Sequence, residues 1–140
     1  MRGWFALCNR ELEDFSKSLR NLEGSTTYQP PFGVVTQAGL VALFRICMEQ
    51  ACGAARRALG EQGFPETALT SPRKVMKCAY AAGMINDEEG WLDALESLGM
   101  VDDAFDDSVA LSIISKTREK YISIFQELER ELRENWSLEE

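Results

Sequence analysis

The sequence predicts an all-α protein, an antiparallel four-helix up-and-down bundle with one extra short helix. Three observations carry that expectation. Apolar residues recur at steps of three and four in successive segments, no stretch alternates with period two, and no hairpin dipeptide such as Asn-Gly occurs. At 140 residues, 45% of them apolar, the chain reads as a single helical domain over 1–140 with room for a hydrophobic core.

The first helix is expected over Phe5 to Leu22, where Phe5, Cys8, Leu12, Phe15, Leu19 and Leu22 draw one apolar stripe. Gly24 to Thr27 end it, and Pro30-Pro31 forbid helix in the linker. A second helix runs from Gly33–Thr36 to about Leu59, apolar nearly all round its first half and alanine-rich in its second, which marks it as the central helix. Gly60, Gly63 and Pro65 open a loop. Ser71-Pro72 then reads as an N-cap with proline at the first helical position, and Val75, Cys78, Ala79 and Ala82 point that helix inward before Gly83 stops it. Asn86-Asp87 caps a further short helix, packed through Trp91, Leu92, Leu95 and Leu98. The last element is long: Val109, Ile113, Thr117, Tyr121, Ile124, Leu128 and Leu132 keep helical spacing over about 27 residues, or roughly 40 Å.

Composition excludes several kinds of chemistry. There is no histidine, so no Ser-His-Asp or Cys-His mechanism, no imidazole acid–base step and no His-containing zinc site is available. The net charge of −8 argues against general nucleic-acid binding, which needs a surplus of Lys and Arg. No signal peptide and no apolar run approaching the ~18 residues of a membrane span is visible, so a cytoplasmic protein that avoids the membrane is expected. Cys8, Cys47, Cys52 and Cys78 form no C-x-x-C pair and match no zinc spacing, so they read as reduced structural thiols; no metal and no cofactor is expected. P-loop, dinucleotide-binding, nucleophile-elbow and kinase motifs are all missing.

Two charged groups stand out. From Asn86 to Asp107 the chain carries nine acids and no base. Asp87 to Glu89 and Asp106-Asp107 are explained by helix starts, where the macrodipole favours negative charge. Asp102-Asp103 is less easily explained by capping and leaves a cation site or a docking face for a basic partner open. Arg56-Arg57 and Arg73, Lys74 and Lys77 flank the 60–71 loop, which leaves open an anion-binding corner. The aromatics Phe5, Phe15, Phe44, Tyr121 and Phe125 read as core. The charges of Glu127 to Glu134 read as a solvated face, and the amphipathic terminal helices suit a dimer contact.

From Thr36 to Leu132, roughly 100 of 140 residues, the order of segments resembles the nucleotidyltransferase substrate-binding proteins of the HEPN superfamily. The resemblance rests on Gln37-Ala38-Gly39-Leu40 to Phe44, Met48-Glu49-Gln50-Ala51, Ser71-Pro72-Arg73-Lys74-Val75 and Ala82-Gly83-Met84-Ile85. It continues through Trp91-Leu92-Asp93-Ala94-Leu95-Glu96, Phe105-Asp106-Asp107 and Lys120-Tyr121. It implies a four-helix core, a homodimer and a separate minimal nucleotidyltransferase as partner, with nucleotide as a possible ligand. Some relatives are ribonuclease toxins with an R-N-x-x-x-H-x-Y signature, whose arginine and histidine act on RNA and whose tyrosine the partner can modify. Aligned from Trp91, those positions hold Leu98, Gly99, Asp103 and Phe105. Leucine does not stabilise a phosphorane, aspartate repels RNA and phenylalanine has no hydroxyl, so the ribonuclease site is lost.

The leading expectation is therefore a non-catalytic homodimeric accessory subunit of a minimal nucleotidyltransferase. Trp91 to Asp107 would line the dimer cleft or partner face, with Asp102, Asp103 and Phe105 at the former catalytic site and Arg73 and Lys77 as further binding residues. The alternatives are a divergent ribonuclease toxin that uses other residues, Arg73 or Lys77 among them, and a plain helical interaction or scaffold protein.

Overall fold

The computed structural model describes the backbone of residues 2–136 and the side chains of residues 10–136. Its elements are α1 (Arg2–Gly24), a 3-10 turn (Ser25–Thr27), α2 (Val34–Glu61), a second 3-10 turn (Glu66–Ala68), α3 (Pro72–Ala81) and α4 (Glu88–Gly99). A third 3-10 turn (Val101–Asp103), α5 (Asp107–Lys116), a π turn (Thr117–Tyr121) and α6 (Ile122–Asn135) complete the order. No strand occurs among the described residues, as the sequence predicts. The side chains of Phe5 and Cys8, placed on the first stripe, lie outside the described residues.

Polar pairs between helices fix the direction of the rods. Arg118 donates to the Ser25 carbonyl, Gln126 to Glu23, Arg20 to Glu129 and Arg133 to Ser16. As numbering falls along α1 it rises along α5–α6, so the two rods are antiparallel. Cys47 lies beside Ser18 and Arg57, further along α2, reaches Glu11, earlier in α1, at 3.7 Å, which makes those two antiparallel as well. The third rod is broken into α3 and α4. The break is at Gly83, whose φ of +80° lets the Met84 N–H return to the Ala79 carbonyl at 2.8 Å and the Gly83 N–H to Tyr80 at 3.1 Å. A side chain at that φ is strained, so glycine ends α3 there.

The core is one cluster centred on Phe15, Phe44, Trp91, Tyr121 and Phe125. Phe44 stacks on Tyr121 with ring centroids 5.3 Å apart, and Trp91 lies 5.5 Å from Phe125. α2 packs against every other helix, which is why Cys47 and Cys52, five residues apart, are both buried. Its composition also corrects an expectation. An 18-residue window of α2 has mean hydropathy 1.3, enough by length and composition to cross a membrane, yet half of that window is buried inside the bundle. The apolar excess serves packing on the neighbouring helices. It does not serve everywhere: Val34 and Val35 are 83% and 86% exposed.

Two details of spacing depart from the sequence reading. In α4 the fully buried residues are Gly90, Trp91, Ala94 and Ser97, while Leu92, Leu95 and Leu98 are half-buried. In the last rod, three consecutive steps of four from Val109 to Tyr121 would drift about 120° around a regular helix. The π turn absorbs that drift: the Ile122 N–H bonds to the Thr117 carbonyl five residues back, and Thr117 and Tyr121 both face the core.

Candidate functional site

A cleft of about 740 Å³, open to solvent, lies between the start of α3, the length of α4 and the π turn. Each wall follows from a local signal. Ser71 caps α3 by accepting from the Lys74 N–H at 3.2 Å, with Pro72 at the first helical position, and so places Arg73 on the first turn. Asp87 caps α4 by accepting from the Gly90 N–H at 2.9 Å. A Cβ at residue 90 would stand 2.5 Å from the Asp87 Oδ2, so a side chain there would push the capping carboxylate aside.

Asp93 is the best-connected polar residue on this wall. The Tyr121 hydroxyl donates to its Oδ2 at 2.7 Å, and Lys120 and Lys116 reach the carboxylate at 3.2 and 3.6 Å. Since the single phenolic proton goes to the carboxylate, the Ser97 hydroxyl is the donor in its 2.7 Å contact with the phenol oxygen. Partial burial pushes the Asp93 carboxyl up, but the bonds from Tyr121 and Lys120 and the two lysine charges outweigh it and hold it below its ordinary value. Burial, then the neighbouring Asp93 charge, push the Tyr121 phenol well above its ordinary value against the bond from Ser97. The cleft wall is thus a neutral phenol locked onto a charged carboxylate. Asp87, Glu89, Asp93 and Glu96 line the cleft against Arg73 and Lys120, a balance that disfavours a polyanionic ligand.

A second cleft, about 380 Å³ and mainly apolar, lies at the other end of α4, where Val34, Ala38 and Val41 of α2 meet Val101, Ala104 and Phe105. Phe105 itself is 87% exposed. Gln37 donates to Asp107 at 3.0 Å and ties α2 to α5 beside it. Asp106 caps α5, and hydrogen bonds from the Ser108 hydroxyl and from the backbone N–H groups of Ser108 and Val109 lower its carboxyl.

The six residues singled out in the sequence therefore do not share one site. Arg73 lines the first cleft, and Lys77 pairs with Glu88 beside it at 3.4 Å. Asp102, Asp103 and Phe105 stand past the far end of α4, whose 12 residues span about 18 Å. Trp91 is 2% exposed and packed on Phe125, so its side chain belongs to the core. The two basic groups flanking the 60–71 loop also face different clefts. Arg56 and Arg57 line a groove with Glu11, Glu61 and Glu66, where Arg57 pairs with Glu61 at 3.2 Å. Sequence reasoning missed Asp93, Ser97, Lys116, Lys120 and Tyr121 as one network. The only signal was the drift in the last stripe, which the π turn corrects.

Among the described residues no group of three His, Cys, Asp or Glu side chains is arranged to hold a metal ion. Cys47, Cys52 and Cys78 are free thiols. Burial pushes the Cys47 and Cys52 thiols up to about 12, which removes the reactive thiolate at neutral pH. Iodoacetamide at neutral pH is expected to leave both unmodified in the native protein and to label both in urea, read by peptide mass spectrometry. Rapid native labelling of either would contradict the packing around α2.

No curated protein matches the chain. Residues 10–134 match the family model described as nucleotidyltransferase substrate binding protein like, a span that runs from the middle of α1 to the end of α6 and includes both clefts, and the chain belongs to that family.

Proposed function

We propose that this chain is a substrate-binding accessory subunit of a minimal nucleotidyltransferase, without catalysis of its own, working in the cytoplasm as a homodimer. The observation that carries the reading is what occupies the end of α4 and the corner after it. Leu98, Gly99, Asp103 and Phe105 stand where ribonuclease relatives would need arginine, asparagine, histidine and tyrosine, and the chain holds no histidine to replace the missing base. The family match supports the association with a nucleotidyltransferase.

The homodimer is supported by the outward face of α2. Val35, Gly39, Ala42 and Ile46 follow one another at helical spacing, with Val35 and Ile46 exposed, and small residues between them allow close helix approach. Free thiols agree with a reducing compartment. The carboxylates of the large cleft favour a partner that itself holds the nucleotide phosphates, leaving this chain to hold the acceptor.

The test is light scattering on the purified protein, alone and mixed with a candidate minimal nucleotidyltransferase from the same organism. A dimer that gains the mass of the partner is the expected result. A nucleoside triphosphate is then expected to raise the melting temperature of the mixture and not of the chain alone. A monomer that ignores the nucleotidyltransferase overturns the reading.

A further inference from the structure

A pocket of about 270 Å³, apart from both clefts, opens where the loop after α3 meets α6. Once Gly83 has ended α3, the chain runs through Met84, Ile85 and Asn86 to the cap of α4, and all three line the pocket. The facing wall comes from α6. There Ile124, Glu127, Leu128 and Glu131 follow at steps of three and four on one face, with Arg130 at its edge. Trp91 of α4 completes the lining, although it is only 2% exposed. Its ring packs on Phe125 in the core, but its indole N–H makes no hydrogen bond among the described residues and is not sealed from solvent either. That N–H therefore opens on the pocket its ring lines, a donor with no acceptor among the described residues. Asn86, Glu127 and Arg130 are exposed and likewise make no side-chain hydrogen bond or ion pair among the described residues. Glu131 accepts from the Trp136 indole at 3.1 Å.

We propose that this pocket binds a free basic α-amino acid, arginine or lysine. The chemistry of the unpaired groups selects that class. An indole N–H donates only, so the ligand must bring an acceptor to it. Arg130 calls for that acceptor to be an anion, and a planar guanidinium pairs best with a carboxylate, through two parallel bonds. Glu127, with Glu131 one turn further on, calls for a cation. Two carboxylates against one guanidinium leave the lining at −1, so a ligand with one carboxylate and two cationic groups restores the balance. The ligand carboxylate thus sits on the Trp91 N–H and Arg130, and the side-chain cation on Glu127. Other classes fail on the same groups. A phosphate ester meets the two glutamates as like charge. A diamine leaves the indole N–H and Arg130 without an acceptor, and an apolar ligand leaves all of these groups unpaired. Size agrees, because the volume lies just below the roughly 300–1,000 Å³ of sites for drug-sized ligands and suits a molecule as small as an amino acid. The inference does not depend on the accessory-subunit reading, since neither cleft shares a residue with this lining.

The probe is L-arginine, titrated into the isotope-labelled protein and read by NMR at the indole N–H resonance of Trp91, which a Trp91→Phe variant assigns. Arginine is expected to move that resonance downfield to saturation, the direction of a new hydrogen bond. Agmatine, which lacks only the carboxylate, and citrulline, whose side chain is neutral at nearly equal size, are each expected to bind about tenfold or more weakly. Arg130→Gln and Glu127→Gln then assign the two ends of the ligand. Both positions are exposed, so the bundle is expected to keep its melting temperature. Arg130→Gln is expected to lose the preference for arginine over agmatine, and Glu127→Gln most of the preference over citrulline. No saturable shift with arginine or lysine leaves the indole N–H to water and overturns the inference. Agmatine or citrulline bound as tightly as arginine by the natural protein overturns it too, as does an arginine affinity unchanged in both variants.

Discussion

Replacing Trp91 with alanine is expected to lower the stability of the bundle by about 3–5 kcal/mol, the usual cost of truncating a fully buried aromatic. Trp91 is 2% exposed, sits on the inner face of α4 and lies 5.5 Å from Phe125, which in turn stacks at 6.4 Å on Phe44 of the central helix. The short α4 has Trp91 as its large buried side chain; its other fully buried residues are Gly90, Ala94 and Ser97. The substitution thus removes the anchor of the element that walls the first cleft. Thermal unfolding followed by circular dichroism should fall by on the order of 10 °C. A Trp91→Phe variant should recover much of the loss, because a smaller ring leaves a smaller cavity. If Trp91→Ala melts with the natural protein, α4 is not held as described.

The second large effect is expected from Tyr121→Phe, at roughly 1–3 kcal/mol. The ring volume is kept, so packing on Phe44 survives, but the Asp93 carboxylate loses its 2.7 Å donor and the Ser97 hydroxyl, 4% exposed, loses its acceptor. The pH dependence separates this from a packing defect. The folded Tyr121 phenol has a raised pKa, so its contribution is whole below the unfolded value of about 10 and is lost as pH rises beyond it. Asp93 has a lowered pKa, so its contribution is whole above the unfolded value of about 3.9 and is lost as pH falls through the folded one. The stability gap between natural protein and variant should therefore be flat around neutrality and shrink at both extremes. A gap that does not change with pH in urea denaturation would assign the loss to packing and count against the network.

Much of the architecture is legible in the residues themselves. Ser71-Pro72 and Asp87 start α3 and α4 where the capping pattern predicts, and Gly83 ends α3 through a backbone conformation that other residues adopt only under strain. The apolar stripes place α1, α2 and the last rod within a few residues of their observed ends. These features are local: each depends on contacts between residues a few positions apart, and so the chain order alone contains them.

The site is another matter. Leucines 92, 95 and 98 have the spacing of a packing face, yet Trp91, Ala94 and Ser97 go inward, the Trp91 ring against Phe125 and the Ser97 hydroxyl onto Tyr121, 24 residues away. Val34 and Val35 have the composition of a core and stand in solvent on the first turn of α2. Arg73 and Phe105 look like neighbours in a list of polar and aromatic candidates but belong to different clefts, one along α4 and one beyond its C-terminal end. What the sequence determined by itself is the class of the fold, the helix ends and the absence of histidine chemistry, since caps, periods and composition act within one turn or by presence alone. What only the tertiary structure decided is which face of each helix is covered and which charges meet, because burial and pairing across helices depend on the angle at which separate rods pack.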